Sequence, residues 1–126
     1  PKAPAAVAWN EALARFDACI VVTPEYNRSI PGALKNALDF VVPSVLANKA
    51  IGLVGYSYLG GVRPVEELRD ILTNFTTGVV GQQVNLSLAT DFENGSAFMP
   101  AAYHDGEVPA MVRDIVAQDR ALAAMR

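Results

Sequence analysis

The stretch that most constrains the fold is Ala18-Cys19-Ile20-Val21-Val22, which runs directly into Thr23-Pro24-Glu25-Tyr26-Asn27-Arg28-Ser29. Its first five residues are apolar without alternation and rich in β-branched side chains, the pattern of a strand covered on both faces. Apolar periodicity stops at Pro24. The turn formers up to Ser29 predict a loop at the strand's carboxyl end. A helix is expected from about Ile30, with Pro31 in its first turn, where a missing N–H costs nothing. Ile30, Leu34, Leu38, Val41 and Val42 then recur at helical spacing as a buried stripe. In an open parallel sheet, this order of strand, irregular loop and helix puts a ligand crevice at the strand's carboxyl end.

The same grammar repeats along the chain. Pro4 to Phe16 reads as an opening helix with Trp9, Leu13 and Phe16 on one face. After the connector Val45–Asn48, Lys49 to Ser57 reads as a second buried strand. It ends in Ser57-Tyr58-Leu59-Gly60-Gly61-Val62-Arg63, where paired glycines permit positive φ and close backbone approach. Two irregular loops on neighbouring strands define a crevice. Arg63 to Phe75 is the next helix, with Val65, Leu68, Ile71, Leu72 and Phe75 as its stripe. Val79 to Leu88 is a third strand whose alternating second half suits a sheet edge. Thr90 to Gly106 is a long polar connection, and Pro109 to Arg126 closes the chain as a helix.

Length and charge narrow the function. A chain of 126 residues makes one domain, able to bury roughly two thirds of its unfolded surface. Net charge is −3 with 52% apolar residues, which gives no reason to expect nucleic acid or an anionic membrane as partner. No apolar run approaches the roughly 20 residues that span a bilayer. The single cysteine, Cys19, reads as a small buried hydrophobe and fits a reducing, cytoplasmic setting. His104 is the only histidine, with no Cys or carboxylate cluster at ligand spacing, so no metal site is expected. A Ser/His/Asp triad lacks its G-x-S-x-G elbow. Glu25 reads as a solvated or backbone-bonded loop carboxylate, so no residue is assigned a catalytic role. Ala33, Ala37 and Phe40 form a second apolar face on the 31–42 helix, which suggests a partner helix.

The contiguous run T-P-E-Y-N-x-S-x-P-G-x-L-K-N-A-L-D-F over Thr23–Phe40 resembles the signature of the NADPH-dependent FMN reductase family. The S-x-x-G-G run at Ser57–Gly61 is similar to that family's second flavin loop. The resemblance implies a flavodoxin-like α/β three-layer sandwich with parallel strands in the order 2-1-3-4-5. It implies FMN and NAD(P)H as cofactors, a small-molecule electron acceptor, and a homodimer or homotetramer built through the 31–42 helix. It assigns the flavin contacts to Pro24, Glu25, Tyr26, Asn27, Ser57, Gly60 and Gly61. The three strands read here correspond to the family's third, fourth and fifth. The single domain over 1–126 is therefore expected to lack the N-terminal β-loop-α-β part, with its Ser/Arg phosphate loop, and to leave the Cys19 strand with an unpaired apolar edge. The function implied is ping-pong hydride transfer from NAD(P)H to FMN and then to a quinone, azo compound, metal oxyanion or free flavin. The alternatives are a non-catalytic, electron-carrying flavin module and a fragment that binds no flavin.

Overall fold

The computed structural model describes residues 2–126. Three parallel strands, β1 (Ala18–Pro24), β2 (Ala50–Ser57) and β3 (Gly78–Ser87), form a sheet in the order β1-β2-β3. Helices α1 (Pro4–Ala14), α2 (Gly32–Asp39), α3 (Pro43–Leu46) and α4 (Val62–Thr73) precede or connect them, and α5 (Glu107–Leu122) closes the fold. A two-stranded ribbon, β4 (Phe92–Glu93) and β5 (Ala97–Phe98), sits inside the connection that the sequence reads as plain loop.

Two cores flank the sheet. Ile51 and Leu53 of β2 pack with Leu38, Leu46, Val65, Leu68 and Leu72 on one face. Ala50 and Val54 pack with Val80, Val84, Met111 and Ile115 on the other. Alternation along β2 thus divides its side chains between two layers of helix, which is why the strand reads as continuously apolar. At Gly52 an added Cβ would lie 2.7 Å from Ile115 Cδ1 and 2.9 Å from Met111 Sδ, so α5 lies directly on the strand. The edge strand β1 has no second partner among the described residues, and Ile20 and Val22 are exposed there. Burial pushes the Cys19 thiol pKa up, against the opposing pull of Lys49.

The structure departs from the expected pattern in α1. Trp9 and Phe16 are 36% and 60% exposed, and the buried face consists of Ala6 and Asn10. Asn10 bridges elements instead of hiding apolar surface. Its Nδ2 donates to the carbonyls of Ala6 (2.8 Å) and Phe40 (2.9 Å), and its Oδ1 accepts the Val42 N–H (2.7 Å). The indole of Trp9 donates to the Ala37 carbonyl at 2.9 Å. The small Ala6 and the polar Asn10 let α1 approach the 40–42 corner closely, and a sequence moment built on large residues misses that. The helix expected over 31–42 stops at Asp39, and the 43–46 segment is the short α3.

His104 belongs to a buried cluster that sequence spacing does not reveal. Its Nδ1 lies 2.7 Å from Glu107 Oε2. Its Nε2 lies 2.9 Å from Asp91 Oδ1 in a bent geometry, an ion pair rather than an aligned hydrogen bond. Asp91 is fully buried and accepts the backbone N–H of Ser87 (2.7 Å) and of Ala101 (2.9 Å). Burial opposes charge on the imidazole, but Glu107 and Asp91 together outweigh it and raise the His104 pKa. Burial likewise opposes the Asp91 carboxylate, but the two backbone donors and His104 lower its pKa. The raised His104 value adds stability that is complete below about pH 6.5 and is lost as pH rises through that raised value. The lowered Asp91 value adds stability that is present above about pH 4 and is lost only as pH falls through the lowered value. We therefore expect amide protection over 91–104 to hold at about pH 6 and to weaken as pH rises through the raised His104 value. In His104→Gln that weakening disappears, as measured by hydrogen exchange.

Candidate functional site

The parallel register aligns Pro24 with Tyr56 and Tyr56 with Leu86, so the three strands end level. The loops that follow β1 and β2 face each other across a cleft of about 520 Å³ at the carboxyl edge of the sheet. That is where an open α/β sheet forms its ligand crevice. Pro24, Glu25, Tyr26 and Ser57, expected from the sequence, line the cleft. Tyr56, Tyr58, Leu59, Arg63 and Leu88 line it as well. Asn27, Gly60 and Gly61 lie in the same two loops but not on its wall.

The first loop is a tight turn. Tyr26 N–H donates to the Ser29 carbonyl (2.9 Å) and Ser29 N–H donates back to Tyr26 (3.0 Å). The two central residues, Asn27 and Arg28, have φ of 51° and 70°. Positive φ at both positions marks a type I′ turn, which favours glycine or asparagine. Asn27 tolerates it, whereas Arg28 is held there at a cost of about 1–2 kcal/mol. The turn uses up the Tyr26 N–H. The Pro24–Tyr56 pairing engages the Glu25 N–H with the Tyr56 carbonyl in the sheet, whereas the backbone N–H groups of Asn27 and Arg28 have no intrachain acceptor among the described residues.

The second loop is shaped by Ser57. Its hydroxyl accepts the N–H of Leu59 (3.0 Å) and of Gly61 (2.8 Å), and Asn85 Nδ2 donates to the Gly60 carbonyl (2.9 Å). The glycines serve the packing of this loop on the sheet. Gly61 has φ 65°, and a Cβ on it would lie 2.4 Å from the Tyr56 backbone nitrogen. A Cβ on Gly55 would lie 2.4 Å from the Gly61 carbonyl oxygen. The loop therefore lies flat on the end of β2, and its turn exposes Tyr58 and Leu59 at the cleft.

Two side-chain links join the first loop to α4. Arg63 Nη2 pairs with Glu25 Oε2, and the Ser29 hydroxyl donates to Glu67 Oε2. Glu25 is nearly enclosed, with 9% of its side chain exposed. Its other oxygen, Oε1, and the Nε of Arg63 are both buried without a partner. An unused acceptor and an unused donor thus sit in residues that line the same cleft.

The signal for the missed wall residues was indirect. Tyr56 precedes Ser57 in a strand, so alternation alone leaves its side chain's face undetermined. Leu88 enters through register, which a sequence does not state. A pair of substitutions tests the loop geometry. Gly61→Ala should lower stability by about 3 kcal/mol, the sum of a left-handed alanine and an overpacked backbone contact. Arg28→Gly should raise it by about 0.5 kcal/mol, because relief of the positive φ exceeds the added chain entropy. Urea unfolding of both variants measures the difference.

Comparison with known proteins gives a consistent picture. A 2-hydroxy-1,4-benzoquinone reductase from Burkholderia sp. is 38% identical over an alignment covering 44% of this chain and 38% of that protein. A quinone reductase of Escherichia coli is 36% identical, covering 52% of this chain and 37% of its own length. An NAD(P)H-dependent FMN reductase of Saccharomyces cerevisiae is 32% identical over 58% of this chain and 38% of its own. The chain thus spans under two-fifths of the length of these curated relatives. In fold it is similar to the flavoenzyme NAD(P)H:(acceptor) oxidoreductase FerB from Paracoccus denitrificans. That match has a TM-score of 0.73 at 23% identity, covering 93% of this chain and 71% of that one. The pattern of the NADPH-dependent FMN reductase family matches residues 1–91, and the chain belongs to that family.

Proposed function

We propose that this chain supplies the flavin-ring side of the active site of an FMN-dependent NAD(P)H oxidoreductase. Its acceptor would be a small molecule: a quinone, an azo compound, a metal oxyanion or free flavin. The observation that carries the reading is the pair of unpartnered polar atoms at the cleft. Glu25 Oε1 and Arg63 Nε, an acceptor and a donor in residues that line the cleft, are buried without partners. Alternating donors and acceptors beside tyrosine rings fit the polar edge of a flat heterocycle better than they fit solvent, because unpaired buried polar groups are costly.

When bound, FMN supplies a ring that takes a hydride from the nicotinamide and passes it on in a second half-reaction. The chain's part is to bind and orient. Pro24 stiffens the entry to the turn, and Tyr26 and Tyr58 offer aromatic surface on either side of the opening. Ser57, Gly60 and Gly61 keep the second loop low on the sheet, so that the cleft stays open. Tyr26 and Tyr58 are 60% and 70% exposed, leaving one face of the cleft accessible to a donor and an acceptor in turn. That arrangement suits ping-pong exchange at a shared position. Donors held at a fixed place near the ring would favour added electron density there. No side chain is assigned as an acid or base.

Titration with FMN, followed by quenching of its fluorescence, tests the site. Tyr26→Ala and Asn27→Ala should each weaken binding by about tenfold, roughly 1.4 kcal/mol. Unchanged affinity in both variants counts against the cleft. A protein that takes up FMN but oxidises no NAD(P)H would instead be an electron-carrying module, and one that takes up none would overturn the reading.

The same reading includes a homodimer or homotetramer through the 31–42 segment. Trp9, Ala37 and Phe40 line an apolar groove there, with Phe40 47% exposed. Phe40→Asp should reduce the mass measured by light scattering to that of the monomer, and an unchanged mass rejects this face. A cytoplasmic location is proposed with it; among the described residues no helix is long and apolar enough to cross a membrane.

A further inference from the structure

We infer that Arg63 and Glu67 of α4 are positioning residues: Arg63 acting through Glu25, and Glu67 through Ser29, they latch the strained 24–29 turn in the conformation that places Pro24, Glu25 and Tyr26 on the cleft wall. The inference rests on the cofactor reading only for what the turn presents; the latch itself is a property of the chain.

The ends of the turn are fixed, by the pairing of Pro24 with Tyr56 and the burial of Ile30, but its tip has little else to hold it. Tyr26 is 60% exposed, Asn27 and Arg28 are exposed, and both central residues sit at positive φ. Strained backbone persists only where its surroundings over-determine it. The cross-turn bonds between Tyr26 and Ser29 close the turn but do not orient it relative to the sheet. Orientation has to come from outside the loop, and the polar side-chain links that reach out from its residues both end on α4. Arg63 and Glu67 are one helical turn apart, so they present to the same side and hold the loop at both ends. The helix behind them is firmly set, with Val65, Leu68 and Leu72 fully or almost fully buried. The latch therefore connects a strained loop to a rigid body.

The charges suit this role. Removing Arg63 leaves the enclosed Glu25 carboxylate without its counter-charge, a state that costs more than the pair itself contributes. A core residue would answer by unfolding the domain. Glu25 lies in a surface loop, so the cheaper answer is to turn the carboxylate out to water and let the turn move with it. Affinity for any ligand that needs the latched turn then falls by the fraction of molecules still latched. The planar guanidinium pairs with Glu25 through Nη2 while its Nε stays buried without a partner.

Hydrogen exchange on the ligand-free protein, together with FMN titration, tests the inference. In Arg63→Ala, exchange at the bonded amides of Tyr26 and Ser29 should quicken about tenfold, with exchange at 65–72 unchanged, and FMN should bind about tenfold more weakly, as expected if one molecule in ten stays latched. Glu67→Ala should act in the same direction, and Arg63→Lys should restore most of the protection. The double variant Glu25→Gln/Arg63→Ala should be no worse than either single one, because the two act as one unit. Unchanged exchange at the Tyr26 and Ser29 amides in Arg63→Ala, or additive losses in the double variant, overturns the latch. So does quickened exchange across 65–72, which would make Arg63 a general stabiliser. If the exchange results hold but the wild-type protein takes up no FMN, the cofactor reading fails and the latch stands.

Discussion

The structure depends on the double burial of β2. This strand pairs with β1 and β3 along its two edges and carries a helical layer on each face. Burying a side chain such as Leu53 or Ile51 contributes about 1.5–3 kcal/mol, and truncating one to alanine adds the cost of a cavity. No surface interaction in this domain approaches that scale. The strand's two glycines follow from the same crowding. Gly52 gives α5 room on one face, and Gly55 gives the loop before α4 room on the other.

From that central strand the position of the site follows almost mechanically. In-register parallel pairing makes the strands end level, so the chain must leave the sheet in adjacent loops on one edge. The second loop is pressed onto β2 by the contact between Gly55 and Gly61 and is fastened by the Ser57 hydroxyl. The first loop has no such contact. It stands off the sheet as a strained turn, and its ties run sideways to α4. One wall of the cleft is therefore set by backbone packing and the other by ion-pair and hydrogen-bond links. The second kind is weaker and easier to change.

Much of this was legible in the sequence because the signals were local. The unbroken apolar runs at 18–22 and 49–57 mark buried parallel strands, and the Thr23–Phe40 signature marks the loop between strand and helix. What escaped was decided by contacts distant along the chain. His104 looks isolated because Asp91 is 13 positions away and meets it only after the β4–β5 ribbon folds back. Trp9 and Phe16 look like core, but α1 docks through Ala6 and Asn10 instead. Gly60 and Gly61 look like a ligand cradle, but Gly61 meets the sheet's own backbone and neither lines the cleft wall.

The sequence by itself determined the fold class, the family and the two loops that line the cleft, because periodicity, turn chemistry and a contiguous signature are all short-range properties. Only the tertiary structure decided which atoms in those loops are free. The Tyr26 N–H is consumed within its own turn and that of Glu25 by the pairing with β2, while that of Asn27 has no intrachain acceptor among the described residues. Glu25 pairs with an arginine 38 residues away. Hydrogen bonds are exclusive and directional, so whether a group faces a ligand depends on every competitor that the fold brings near it. Residue order does not state those competitors; the register of the sheet and the docking of α4 do.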